Sequence, residues 1–384
     1  MNYLEQFKFS RDSPSEFEID LSLHKKKDDI DDSHLSNLLS RSIRVDKSIF
    51  PSVANAIDKV FKRLNLENEF NFFVTADNVQ ANAACSLMPS ASKPDIILTS
   101  KLIELLSEDE LKFVVGHEVA HYYYQHAFYP NYESASERHL QLNILNLSRS
   151  AEISADRVGF IASGSLEKSL RAILKLASGL SEKHLKFSFS VVLNQLREIE
   201  SIGKSQSELW STHPNFLIRM QALIWFSMSR EYHEFFDTKK KGIYDLKNID
   251  NKIQKSINKI VGDELEFTNK EIYENALLWG SLKLFLVDKT FSKDEQARFS
   301  KLIGKEKASK AISWLKLNRD QKMLDQKAED AFSRASSLLK TARQNLAKDL
   351  KKTAKESGGQ KIKVLETLSK LLNLIGEKKP TSFD

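Results

Sequence analysis

Cysteine is all but absent from this chain: Cys85 is the single one among 384 residues. An intramolecular disulfide and any all-cysteine metal site are thereby excluded. Glycine (12) and proline (7) are sparse for this length, which disfavours a turn-rich all-β fold and favours helices. Nowhere do about 18 apolar residues run together, so no bilayer span is expected; the most apolar stretch, Ala276 to Val287, is too short. The start of the chain carries Glu5, Lys8, Arg11 and Asp12 without an apolar core, unlike a secretory signal. The expectation is a cytoplasmic protein, with peripheral membrane association left open.

Apolar material for a core is plentiful, at 41% hydrophobic against 29% charged residues, so wholesale disorder is excluded. The length suits two or three domains. Charge is unevenly placed within the net +6: residues 239–384 carry 32 basic and 20 acidic side chains, a balance of +12, which leaves −6 for residues 1–238. Opposite signs suggest two modules with different tasks. The boundary is set at Thr238-Lys-Lys-Lys-Gly242, giving a polar lead-in over 1–50, a first domain over 51–238 and a basic helical module over 239–384. The lead-in includes a mixed charge run, Lys25 to Asp32, and is read as irregular and in part mobile.

Periodicity predicts a helix from Pro51, with Val53, Ile57, Val60, Phe61 and Leu64 on one face. Three strands follow, at Phe70–Thr75, Ala83–Leu87 and Asp95–Thr99, the last two joined by a turn-like segment with two prolines, Met88 to Pro94. Helices dominate afterwards. Ser107-Glu-Asp-Glu110 forms a capping box and opens a helix to about Gln125. Further helices are expected over about 135–163, 166–177, 188–202, 213–234, 248–261, 268–287, 292–302 and 307–317, then one long charged helix over 319–356 and a short amphipathic one at the end. The fold class is α+β, mostly α, with a small three-stranded sheet.

Chemistry concentrates in His117-Glu118-Val-Ala-His121. Histidines four apart share one helical face, so both imidazoles can reach one metal ion. Zinc suits two neutral imidazoles plus a carboxylate, with a fourth position left for water, and Glu118 can take that water's proton as general base. A downstream Gly and His as in HExxHxxGxxH are missing, because Tyr124 and Ala127 stand there. His126, five residues past His121, is expected off the metal face. The better third ligand is Glu152, on the next long helix. Asp156, one turn further, would hydrogen-bond a ligand histidine and fix its tautomer.

With these pieces in order the chain resembles the gluzincin zinc metallopeptidases of the HtpX, mitochondrial Oma and CAAX prenyl protease type. The matching segments are Asn82-Ala83, Gly116-His-Glu-Val-Ala-His121, Arg149-Ser-Ala-Glu152-Ile-Ser-Ala-Asp156-Arg-Val-Gly159 and Ser211-Thr-His213-Pro214 with Arg219, all within about residues 50–235. The resemblance implies a helical catalytic domain with a small sheet over a zinc cleft. It implies that the strand at Asn82 and Ala83 pairs with an extended substrate, and that His213 and Arg219 lie near the active site, where a donor could stabilise an oxyanion. Those families are usually membrane-embedded, and no span is expected here.

Residues 265–318 resemble the helical core of tellurite-resistance TerB-like domains; any small helical bundle is the preferred alternative. The lysine-rich segments are short, interspersed with acids and without stacking aromatics, so a solvated helix face is preferred to a nucleic-acid interface. The leading expectation is a zinc-dependent endopeptidase with one Zn2+, a polypeptide substrate, and a protein partner to be sought through residues 239–384. The alternative is a catalytically silent zinc-containing scaffold acting through the basic module.

Overall fold

A computed structural model of the chain describes residues 3–18, 33–86, 93–203, 206–236, 238–318 and 320–378. The Lys25–Asp32 run and the Met88–Ser92 part of the proline turn lie outside these. The chain divides into two compact units: Met1–Pro14, Ile19–Ser134 and Leu142–Gly262 form the first, and Ser15–Glu18, Ala135–Gln141 and Asp263–Asp384 the second.

In the first unit, packing begins within the expected lead-in. Leu4, Phe7 and Phe9 are buried members of the main core. Helix α1 (Ser33–Arg41) runs into strand β1 (Ser42–Arg44), and helix α2 (Pro51–Leu64) follows. Proline at its first position suits α2, because the missing N–H would have had no helical partner there. Asn65 closes it in the left-handed region, at φ 49°. The buried face of α2 holds Val53, Ile57, Val60, Phe61 and Leu64.

Strands β2 (Asn71–Thr75), β3 (Ala83–Ser86) and β4 (Asp95–Thr99) complete the sheet, whose order is β1-β2-β4-β3. The central pair, β2 and β4, is parallel, with Phe73 opposite Ile97. Both outer strands run antiparallel to their neighbours. The sheet therefore has four strands, not the three expected. The extra one, Ser-Ile-Arg, is three residues long and half exposed, too short for an alternating pattern to stand out.

Helices α3 (Ser100–Leu105), α4 (Glu108–Tyr123), α5 (Arg138–Ser163), α6 (Leu166–Ser178), α7 (Phe189–Ile202), α8 (Gln206–Leu209), α9 (Phe216–Phe226), α10 (Arg230–Phe235) and α11 (Leu246–Val261) follow. The expected 213–234 helix is two, α9 and α10, because Ser229 caps the second with its own side chain. Helix α4 packs on α2, α6 and β3, and α9 on α6, α7 and α11. The charge changes sign at Thr238–Gly242, yet this unit continues to Gly262. Ile249, Ile253, Ile257 and Ile260 bury one face of α11 in the same core.

The second unit is helical: α12 (Glu264–Phe285), α13 (Lys293–Ile303), α14 (Lys305–Leu317), α15 (Gln321–Ala335), α16 (Lys340–Glu356) and α17 (Lys361–Leu374). Helix α12 is its axis. Ile272, Ala276 and Leu284 join a cluster with α15, α16 and α17; Leu282 and Phe285 join another with α13 and α14. The long charged helix expected over 319–356 is broken at Ser336–Leu339, where Leu338 turns into the core. Among the described residues no helix is long and apolar enough to cross a membrane.

Candidate metal centre

Helix α4 starts on its capping box: Ser107 Oγ accepts the Glu110 N–H at 3.4 Å, and the Glu110 carboxylate accepts the Ser107 N–H at 2.8 Å. The same carboxylate receives Lys175 Nζ of α6 at 2.7 Å, fully buried. A little over two turns along α4, Gly116 meets α5. A Cβ at 116 would stand 2.3 Å from Ala162 Cβ and 3.2 Å from Gly159 Cα. This close approach lets His117 and His121 face Glu152 and Asp156 across the two helices.

Ligand atoms of His117, His121 and Glu152 all lie within 4.8 Å of one another, a group able to hold a metal ion. The two histidine Nε2 atoms are 3.0 Å apart, and each is 3.5 Å from a different Glu152 oxygen. His117 Nδ1 donates to Asp156 Oδ1 at 3.0 Å, so in the neutral ring its Nε2 bears a lone pair. Glu152 Oε2 is buried with no hydrogen-bond partner. Facing ring nitrogens beside an orphaned carboxylate oxygen make a donor set that a cation between them would satisfy. The residues present therefore fit a divalent ion.

Supporting groups hold these donors in place. Arg219 of α9 forks onto Asp156, with Nε to Oδ2 at 2.8 Å and Nη2 to Oδ1 at 2.6 Å. Its Nη1 stands 3.8 Å from Glu152. Burial alone would raise the Asp156 carboxyl, but the Arg219 fork and His117 outweigh it and bring the pKa to about 2. Burial lowers His121 well below its ordinary value, and the neighbouring His117, His126 and Arg219 add to this, so the ring is neutral and ready to ligate. Glu118, reached by the Cys85 backbone N–H, is raised by burial, and by Glu152 against the opposing His117. A raised carboxyl is the stronger base once ionised, as a proton acceptor requires.

The open cleft over this group has a volume of about 500 Å³. Asn82 and Ala83, at the start of edge strand β3, line it, and so do His213 and Arg219. Asn82 is tied to β4, its N–H donating to Thr99 Oγ1 at 2.9 Å, and β3 has no second strand neighbour among the described residues. His213 is 63% exposed at its side chain, with Nε2 3.4 Å from Glu152 Oε1. Cys85 also lines the cleft, but burial, with Glu118 and Asp95, pushes its thiol up to about 12, so it is no nucleophile.

Two neighbours escaped sequence reasoning. His126 was expected to point away, but α4 ends at Tyr123 and Gln125 adopts the left-handed conformation at φ 58°. The turn swings His126 back, placing its Nδ1 2.8 Å from His121 Nδ1. Behind it lies Asp12, with Oδ2 3.1 Å from His126 Nε2. Burial would raise the Asp12 carboxyl, yet the hydrogen bonds from His126 and Tyr129 and the nearby Lys8 charge lower it. A polar helix end next to a His was the one available hint for His126; for Asp12 the sequence held none.

Comparison with known proteins now bears on this geometry. Residues 48–136 and 134–224 match peptidase family M48. The chain is also 26% identical over 173 residues to "Plastoglobule-localized metallopeptidase 48, chloroplastic" of Arabidopsis thaliana. These findings support an M48 family metallopeptidase. The aligned part is 39% of this chain and 50% of that relative, so the chain spans about half the length of the curated relative it matches. No solved structure matches. The M48 segments contain His117, Glu118, His121, Glu152, Asp156, His213 and Arg219; they exclude Asp12 and stop short of residues 265–318.

Proposed function

We propose that the chain is a zinc-dependent endopeptidase of the HtpX, Oma and CAAX prenyl protease type. The observation that carries this reading is the convergence of His117, His121 and Glu152 beside a buried Glu118. Two imidazoles and a carboxylate suit Zn2+ with one position left open. When bound, the ion supplies Lewis acidity for a carbonyl and for water.

An extended polypeptide adds a strand along the outer edge of β3, beginning beside Asn82 and Ala83, where backbone hydrogen bonds hold it without demanding a sequence. Glu118 takes a proton from the attacking water and returns it to the leaving amine. His213, exposed at the same cleft, would donate to the developing oxyanion. Arg219 acts through Asp156: by fixing that carboxylate it fixes His117. The zinc metallopeptidase domain is read as residues 51–238, and the basic helical module over 239–384 as a site for a protein partner. A cytoplasmic location is part of the same reading.

The test is hydrolysis of an unfolded casein-type substrate by the zinc-loaded protein and by Glu118→Gln at matched metal content. Loss of general-base catalysis lowers the rate by about 10²–10⁴-fold while the zinc content stays equal. If both forms hold zinc and neither cleaves, the reading fails and a zinc-stabilised scaffold takes its place.

A further inference from the structure

We propose that Asp12 and His126 form a positioning chain that sets His121 as a ligand, which makes the first dozen residues part of the metal site. This inference rests on the metal-site reading above.

Proton placement follows from one end of the chain. Asp12 is enclosed, with its side chain 0% exposed, and both its oxygens accept: Oδ1 from the Tyr129 hydroxyl at 2.5 Å and Oδ2 from His126 Nε2 at 3.1 Å. His126 Nε2 therefore carries hydrogen, and in the neutral ring Nδ1 must be an acceptor. That acceptor faces His121 Nδ1 at 2.8 Å, so His121 Nδ1 donates. The Nε2 of His121 is then bare and turned toward His117 and Glu152. Asp156 does the same for His117 directly; for His121 the carboxylate works through one more ring. Outer partners of this kind govern the orientation and basicity of a ligand imidazole.

The carboxylate end is built in, not incidental. Phe7 and Phe9 anchor the segment in the core. The Phe9 N–H donates to Ser154 Oγ at 3.0 Å, on the turn of α5 between Glu152 and Asp156. Buried Arg157 donates to the Phe7 carbonyl at 3.0 Å and pairs with Asp250, whose other oxygen takes the Ser10 N–H at 2.9 Å. One short segment thus grips α5 and α11 while presenting Asp12 to His126.

The experiment measures zinc affinity by chelator competition on the full chain, beside the thermal melt of each metal-free protein. His126→Phe removes the acceptor, whereas His126→Asn keeps an oxygen where Nδ1 stood. The expected result is about 10–100-fold weaker zinc binding in His126→Phe and near wild-type binding in His126→Asn. Asp12→Asn, which can donate or accept and so no longer dictates the tautomer, is expected to weaken binding several-fold. Should His126→Phe fail to fold, the other two variants decide. Wild-type affinity in folded His126→Phe, or in Asp12→Asn, overturns the proposal, as does His126→Asn binding as weakly as His126→Phe. A wild-type protein that binds no zinc overturns the metal-site reading itself, a result distinct from all of these.

Discussion

Substituting Gly116 by Ala tests how closely α4 and α5 must approach. The new Cβ would stand 2.3 Å from Ala162 Cβ, whereas carbon atoms pack at about 3.8 Å, so the helices must part by roughly 1.5 Å. Overpacking of this kind costs about 1–3 kcal/mol, or about 2–4 °C of melting temperature per kcal/mol in a unit this size. The same displacement stretches the 3.0 Å bond from His117 to Asp156, so metal affinity falls too, by about tenfold. The decisive measurement is a double-mutant cycle with Ala162→Gly. Alone, that change costs up to about 1 kcal/mol, the figure for a helix-interior glycine, because position 162 lies in the last turn of α5. On the Gly116→Ala background it removes the colliding methyl, so its effect reverses sign and it stabilises. If Ala162→Gly destabilises both backgrounds equally, the steric argument is refuted.

Two further outcomes follow from buried charges. Asp156 has a folded pKa of about 2 against an ordinary 3.8, so it contributes about 2 kcal/mol that is fully present above pH 4 and lost as pH falls through 2. Denaturant unfolding of metal-free protein across that window should show a shallower pH dependence in Asp156→Asn, and equal slopes would contradict the assignment. Lys175→Met strands the Glu110 carboxylate, which Lys175 meets at 2.7 Å and Arg171 at only 3.4 Å. The expected loss is about 3 kcal/mol, and a denaturation midpoint unchanged from wild type would count against it.

Local signals carried much of this molecule, and their reach explains the gaps. The capping box at Ser107 and the four-residue spacings of His117 with His121, and of Glu152 with Asp156, are properties of single helices, so they could be read without knowing the fold. The folded chain gathers His117, His121 and Glu152 around one point. What could not be read depends on distant partners. Strand β1 pairs with β2 through only three residues. His126 is turned inward by a left-handed Gln125, a residue with no sequence mark of that conformation. Asp12 meets His126 across more than a hundred residues. The break at Ser336–Leu339 was hidden because charged, helix-favouring residues flank it on both sides.

Asp156 has a consequence for the order of events in the life of the molecule. It joins three helices, through His117 of α4, its own place on α5 and Arg219 of α9, using only protein groups. The cage around the centre is therefore finished once the helices have packed. In small zinc-folded domains, capture of the ion and folding are one process. Here the ion would arrive at a completed chamber through an open cleft, as a late and exchangeable guest. Loading of such an ion would then be expected to rise in proportion to free ion and to need no refolding of the chain.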